Sequence, residues 1–291
     1  MKKLFSALPD DIYLAEVNIP GTHDSCTAFC TMENMSRCHS LTVKEQLELG
    51  IRLFDIRLYK SGKDFYLCHA FADCFTEKDK KTKLTFDMVL SDFREFLTEN
   101  PDETLIVSVK QDRGIINRWF FPPFYEKYIA GNENEWYLKN ENPTLSECRG
   151  KMVLMRRCRV FPWWRKDKEC GLDFSYWRDQ GSKRKEKIYT VRQNKELRAV
   201  VQDRYGLAPE RKWTKCEKPF LDTCKCDKNH ISVHFISTAY RYKNESLVKT
   251  AEEMNVLFKS YELTGKKGWF FFDFPDKEIV DKVITSNIKE K

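Results

Sequence analysis

Two histidines, an arginine and several carboxylates stand where short apolar runs of this sequence end. Asn18-Ile19-Pro20-Gly21-Thr22-His23-Asp24-Ser25 closes one run, Phe54-Asp55-Ile56-Arg57 the next, and Leu67-Cys68-His69 a third. Ser108-Val109-Lys110-Gln111-Asp112, Met155-Arg156-Arg157, Gln202-Asp203-Arg204-Tyr205 and Phe272-Asp273 close later ones. Two imidazoles can supply a general base and a general acid near neutral pH. A guanidinium between them can hold the non-bridging oxygens on which charge grows in a pentacoordinate phosphorane. Carboxylates fix each imidazole's tautomer and favour its protonated form. The set suits phosphodiester cleavage without a metal.

Plainer readings stand beside this one. Asp55 and Arg57, at i and i+2, share one strand face and could form only a structural ion pair. Lys110 alone would be a solvated strand end. His39, His230 and His234 fit surface or satisfied core positions. Agreement among many strand ends outweighs any one residue, and it requires a fold that gathers those ends on one rim.

The strand candidates are Leu14–Ile19, Ile51–Tyr59, Phe65–His69, Thr104–Lys110, Met152–Arg157, Ala199–Asp203, Ile231–Ser237 and Gly268–Phe274. Near-continuous runs such as Leu105-Ile106-Val107 and Trp269-Phe270-Phe271-Phe272 predict strands buried on both faces of a parallel sheet. Helical patterns lie between them. Thr42-Val43-Lys44-Glu45 is a capping box, with Gly50 as the stop. Phe86, Val89, Leu90, Phe93, Phe96 and Leu97 keep helical spacing after Thr85 as N-cap, and Leu247, Ala251, Met254 and Phe258 repeat it. Alternating strands and helices in one undivided chain predict an α/β barrel, with its site at the carboxyl ends of the strands. Ser182–Lys187 and Cys216–Lys228 are expected to be loop insertions.

Of the 291 residues, 41% are hydrophobic and 14% aromatic, enough for a sizeable core and unlike a disordered chain. Lys plus Arg exceed Asp plus Glu by 51 − 44 = 7. That mild positive charge favours anionic partners without choosing one. The basic residues are dispersed, and no nucleic-acid motif appears. No run approaches ~18 apolar residues, so no transmembrane helix is expected. Met1-Lys2-Lys3-Leu4-Phe5 resembles the start of an export signal, but the apolar run stops at Pro9-Asp10-Asp11. No signal peptide is read here, and a cytoplasmic protein or a trimmed secreted one both fit. The odd count of 11 cysteines predicts free thiols in a reducing compartment. Cys216, Cys224, Cys226 and His230 form a metal-capable group, but their spacing matches no common zinc pattern.

Taken in order, these segments resemble the bacterial phosphatidylinositol-specific phospholipase C family, the single-domain X-type enzymes. Ile19-Pro20-Gly21-Thr22-His23-Asp24-Ser25 is similar to that family's first catalytic motif, and Gly50-Ile51-Arg52-Leu53-Phe54-Asp55-Ile56-Arg57 to its second. Leu67-Cys68-His69, Pro101 to Lys110, Gly150-Lys151-Met152-Val153-Leu154, Val201 to Tyr205 and Gly268 to Asp273 continue the likeness, roughly over residues 12 to 285. The resemblance implies a single distorted TIM (β/α) barrel spanning 1–291 as one catalytic domain. It implies that His23 is the general base, oriented by Asp273, and takes the proton of the inositol 2-hydroxyl, which attacks phosphorus. His69, assisted by Asp24, would protonate the departing diacylglycerol oxygen, and Arg57 would bind the phosphate. Diacylglycerol and inositol 1,2-cyclic phosphate would result. Asp55, Lys110, Arg157, Asp203 and Tyr205 would bind substrate.

Arg57 stands where calcium-dependent relatives have an acidic ligand, so no metal and no cofactor is expected. The implied partner is a phosphatidylinositol-containing membrane surface, met peripherally and transiently by a monomer. Trp163 and Trp164, with Arg165 and Lys166, suit an interfacial anchor, although both rings could equally belong to the core. A non-catalytic inositol-lipid-binding barrel and a metal-dependent glycerophosphodiesterase are the alternatives. The first would be favoured by loss of a histidine, and the second needs a carboxylate cluster around a cation.

Overall fold

The structure, a computed structural model, describes residues 3–115, 118–181, 189–192, 194–239 and 246–288. Its strands are β1 (Ile19–Thr22), β2 (Leu53–Ser61), β3 (Asp64–His69), β4 (Ala72–Asp73), β5 (Leu105–Gln111) and β6 (Trp136–Tyr137). They continue as β7 (Met152–Arg156), β8 (Leu172–Asp173), β9 (Tyr189–Arg192), β10 (Arg198–Gln202), β11 (His230–Phe235) and β12 (Trp269–Phe272). One sheet runs β6-β7-β5-β2-β1-β12-β11-β10-β9. It is parallel from β6 to β10, and β9 alone on this path is antiparallel. The sheet curls into a distorted (β/α) barrel. Among the described residues no ladder joins β9 back to β6 or β8, so the barrel is open on that side.

The apolar runs explain why these strands are central. In β12, Phe270 and Phe272 face outward onto Phe258 of the helix Leu247–Ser260, with ring centroids 5.5 and 4.9 Å away. Phe271 faces inward onto Phe235, at 4.4 Å. Both faces are apolar because both are covered. The helix Phe86–Glu99 buries Phe86, Val89, Leu90, Phe93, Phe96 and Leu97, and Phe93 meets Phe54 of β2 at 4.9 Å. Each such side chain contributes about 1.5–3 kcal/mol by leaving water. Thr85 holds the N-cap position but makes no side-chain cap bond. Ahead of β2, Thr42 and Glu45 close the capping box, and Gly50 ends that helix at φ 115°, in the left-handed region.

Three expectations are corrected. The run Leu14–Ile19 is mostly not strand: Leu14–Glu16 is a 3-10 turn, and β1 begins only at Ile19. The Glu16 carboxylate accepts from the Tyr13 backbone N–H, which fixes the turn, and Leu14, Ala15 and Val17 are buried at the amino end of the barrel. Phe65–His69 is a strand, but it pairs antiparallel to β2. Only Gly62 and Lys63 separate β2 from β3, which allows a hairpin and forbids the long crossover a parallel pair needs. Cys216–Lys228 is not all loop: Cys216 lies in a helical stretch running through Pro209–Lys212, Trp213–Glu217 and Lys218–Thr223, because Trp213, Phe220 and Leu221 have a buried face to fill. Ser182–Lys187 lies outside the described residues.

Gly21 faces Leu53 across the β1–β2 pair. A Cβ there would meet Leu53 Cβ and Cγ at 2.6 Å. Gly21→Ala should therefore cost about 1–3 kcal/mol by overpacking. Thermal unfolding followed by circular dichroism should show a melting temperature several degrees lower, and an unchanged one would refute this close packing.

Candidate active site

Register brings the chemical residues together. Thr22 of β1 pairs with Phe272 of β12, so the next residues, His23 and Asp273, emerge side by side at the carboxyl end. The His23 backbone N–H donates to Phe272 O at 2.9 Å, and its ring Nδ1 lies 2.8 Å from Asp273 Oδ1. Arg57 pairs with Lys110 across β2 and β5. The β2–β3 hairpin then returns the chain so that His69 closes the opposite side, with its ring 6.0 Å from that of His23 and nearly perpendicular.

Asp24 and Arg57 lie between the imidazoles. Asp24 Oδ2 is 2.9 Å from the Arg57 guanidinium, 3.4 Å from His69 Nε2 and 4.0 Å from His23 Nε2. Asp24 itself has φ 50°, a conformation that Asp tolerates better than most residues. The other nitrogen of each ring is fixed. His23 Nδ1 faces the Asp273 carboxylate, and His69 Nδ1 faces Ser36 O at 2.8 Å. A carbonyl only accepts, so His69 must carry a proton on Nδ1. Any second proton then sits on Nε2, facing Asp24. The same logic leaves His23 Nε2 as the lone pair of the neutral ring.

Charge is tuned to match. Burial opposes the charged form of His23, but Asp273 outweighs it and raises the imidazole above its ordinary value. Burial would also discharge Arg57, yet Asp24, Asp55 and Asp112 hold it firmly protonated. Burial, joined by the Arg57 charge, lowers Lys110. Asp112 is held far below the usual carboxylate range, because Arg57 and Lys110 overcome its burial. Burial raises Asp203.

A cavity of about 500 Å³ opens at this rim. His23, Arg57, His69 and Asp273 line it together with Lys110, Arg157, Asp203 and Tyr205. Asp55 does not. It is fully buried below, where its carboxylate accepts from Arg57 Nε at 2.9 Å and from Arg157 at 3.0 Å. Its position is that of a brace for two arginines rather than a group open to a ligand. Several wall residues carried no sequence signal: Cys38, Trp177 and Asp179. The Arg157 guanidinium stacks on Trp177 at 3.8 Å, Tyr205 O–H donates to Asp179, and Gln180 Oε1 accepts from the Asp203 N–H. The plain reading of two histidines holds. His39 is buried against His23 O and pushed down to about 4 by that burial, and His230 pairs with Asp227.

Two sets of side chains could approach one ion, His23–Cys38–Asp273 and Asp24–Cys38–His69, each with its ligand atoms within 4.8 Å of one another. Each mixes one nitrogen, one sulfur and one carboxylate oxygen. Calcium and magnesium prefer all-oxygen shells, so neither set suits them. Cys216, Cys224, Cys226 and His230 do not form such a set among the described residues.

Trp163 and Trp164 separate. Trp163 is 63% exposed and stacks on Phe161 at 5.5 Å, whereas Trp164 packs on Tyr125 and Phe121. Trp164 thus takes the core alternative. Among the described residues, no helix is long and apolar enough to cross a membrane.

Known proteins are similar to this chain in sequence and fold. The family model for the phosphatidylinositol-specific phospholipase C X domain matches residues 18–158. A 1-phosphatidylinositol phosphodiesterase of Listeria monocytogenes is 24% identical, over 98% of this chain and 85% of its own. One from Staphylococcus aureus strain Newman is 28% identical, over 97% and 93%. Among solved structures, a pentafluoro-Phe-containing phosphatidylinositol-specific phospholipase C from Staphylococcus aureus superposes with a TM-score of 0.78 at 24% identity, covering 97% of this chain and 96% of that one. The Listeria monocytogenes enzyme gives 0.73 at 23% identity, covering 98% of each. Those structural likenesses fix the barrel fold. With the sequence relatives spanning nearly the whole chain and the X-domain match over the strands that bear His23, Arg57, His69 and Lys110, the chain is similar to the phosphatidylinositol-specific phospholipase C family, X-domain type.

Proposed function

We propose that this protein cleaves the phosphodiester of phosphatidylinositol by internal attack of the inositol 2-hydroxyl. The opposed Nε2 atoms of His23 and His69, with the Arg57–Asp24 pair between them, carry the reading. Neutral His23 takes the hydroxyl proton at Nε2, and Asp273 stabilises the imidazolium that forms. The alkoxide attacks phosphorus. Arg57 meets the charge on the non-bridging oxygens. His69, cationic with Nδ1–H on Ser36 O, gives its Nε2 proton to the diacylglycerol oxygen as that bond breaks. The products are diacylglycerol and inositol 1,2-cyclic phosphate. Lys110, Arg157 and Asp203 supply charged partners for ring hydroxyls, and Tyr205 offers a face for stacking. Asp55 contributes by holding Arg57 and Arg157.

Phosphorus NMR of the protein with phosphatidylinositol in mixed micelles and excess EDTA tests both reaction and metal independence. A growing inositol 1,2-cyclic phosphate signal is expected. Turnover only after Ca²⁺ or Mg²⁺ is added would overturn the role given to Arg57. No turnover in either condition would favour a barrel that binds inositol lipids without cleaving them.

The His23 shift sets the pH dependence. A base works when deprotonated, so kcat/KM rises with pH through the His23 pKa. Asp273 raises that pKa, which places the acid limb above the ordinary histidine value. In Asp273→Asn the raising charge is gone while burial and Arg57 still lower the imidazole. The acid limb should move to lower pH as the plateau falls. A limb that stays in place would show that His23 is not the titrating base.

The membrane contact also belongs to this reading. Phe71, Trp119 and Trp163 are 86%, 60% and 63% exposed, on segments that leave the carboxyl ends of β3, β5 and β7. Such rings insert at headgroup level and point the cleft toward lipid. Trp163→Ala should weaken binding to anionic vesicles roughly tenfold while sparing turnover of a soluble short-chain substrate. Unchanged sedimentation with vesicles would remove Trp163 from the contact.

A further inference from the structure

Cys38 stands on the cavity wall, and the reaction assigned to the cleft does not use it. Its backbone is pinned from two sides. The Cys38 N–H donates to Thr27 Oγ1 at 2.9 Å, and the Phe274 N–H donates to Cys38 O at 2.9 Å. Phe274 directly follows Asp273, and His39, the neighbour of Cys38, bonds His23 O at 2.6 Å. The segment is thus tied to both members of the His23–Asp273 pair. The Cys38 sulfur makes long contacts, 3.6 Å to Ser36 O and 3.8 Å to His69 Nδ1.

Two possible ligand sets share this sulfur, His23–Cys38–Asp273 and Asp24–Cys38–His69. Charge separates them. Asp24 Oδ2 already lies 2.9 Å from the Arg57 guanidinium, which opposes a cation there. Asp273 pairs with His23 and, among the described residues, with no lysine or arginine. One carboxylate and one thiolate balance a divalent charge. Imidazole, thiolate and carboxylate together suit zinc, which bonds such atoms at about 2.0–2.3 Å and takes water in a fourth place. The three ligand atoms lie within 4.8 Å of one another, so small side-chain rotations close them onto one ion.

We propose that His23, Cys38 and Asp273 form an inhibitory site for a zinc ion, with the fourth position open to the cleft. Binding releases the Cys38 thiol proton to water and leaves a thiolate on the ion. Whichever nitrogen of His23 takes the zinc, Nε2 loses its lone pair. Either Nε2 is itself the ligand, or it carries the ring's single proton while Nδ1 is the ligand. The general base is then gone. The inhibition, unlike the binding, rests on the phosphodiester cleavage proposed above.

Zinc chloride titrated into the metal-free protein tests this. Calorimetry should show a site that weakens roughly tenfold or more in Cys38→Ser and in His23→Gln but persists in His69→Gln. X-ray absorption of the wild type with one equivalent of zinc should show one sulfur at about 2.3 Å, and nitrogen and oxygen at about 2.0–2.2 Å. The same equivalent should lower phosphatidylinositol turnover roughly tenfold or more, and EDTA should restore it. A wild type that binds no zinc, a shell with two or more sulfurs, or binding that needs His69 rather than His23 would overturn the site. Zinc bound with the expected shell but without effect on turnover would overturn the inhibition. The absorption measurement decides even if a variant fails to fold. It needs no turnover, so failure of the cleavage reading and failure of the zinc site are told apart.

Discussion

His23→Ala and His69→Ala should each lower phosphatidylinositol turnover by about 10²–10⁴, the usual contribution of a positioned general acid or base. The two losses differ in kind. In the proposed reaction His23 acts on the attacking hydroxyl, so its loss should penalise every substrate that closes the cyclic phosphate. In that same proposal His69 acts on the leaving oxygen. A phenolate-type leaving group needs no proton, so such a substrate should restore much of the His69→Ala rate and little of the His23→Ala rate. The structure gives this split its basis: Asp273 holds His23 from one side, and the Ser36 carbonyl commits the extra proton of His69 to Nε2. Both side chains are mostly buried but touch the cavity, so melting temperatures should be measured alongside. Full activity in either variant would refute its assignment. The double variant should fall far short of the product of the two losses, because residues that act as a unit are not additive.

Much of this site was legible because its residues sit at strand ends, where apolar periodicity stops abruptly. His23, Arg57, His69, Lys110, Arg157, Asp203 and Asp273 all follow apolar runs and all line the cavity. The same signal misled where an apolar run serves another purpose. Leu14 to Val17 is hydrophobic because it is buried at the amino end of the barrel, and buried turns and strands share a composition. Trp177, Asp179 and Gln180 follow no strand pattern, and long-range contacts alone join them to Arg157, Tyr205 and Asp203. Ser36 acts through its backbone carbonyl, a role no side-chain pattern can encode. Trp163 and Trp164 show the limit of adjacency: neighbouring rings of one type lie on different faces, one exposed and one packed. Asp55 was visible as a charged strand residue, but its burial beneath two arginines depends on β7 arriving beside β5.

Arg57→Lys should separate charge from geometry. The guanidinium lies 2.9 Å from both Asp24 and Asp55, so it is anchored on two sides before substrate arrives. A lysine keeps the positive charge that Asp24 and Asp55 require, which limits the folding penalty of leaving buried carboxylates unpaired. It loses the planar fork that can hold two phosphate oxygens at once. If Arg57 acts mainly on the phosphorane, kcat should fall by about 10²–10³ with a much smaller change in KM, as when a preorganised donor to a transition-state oxygen is removed. If Arg57 only grips the ground-state phosphate, KM should rise while kcat holds. The two outcomes cannot both occur, and the second would shift transition-state stabilisation to the remaining cleft cations, Lys110 and Arg157. The melting temperature of Arg57→Lys serves as the control, since a large drop would show that the fork was needed to hold Asp24 and Asp55 in place.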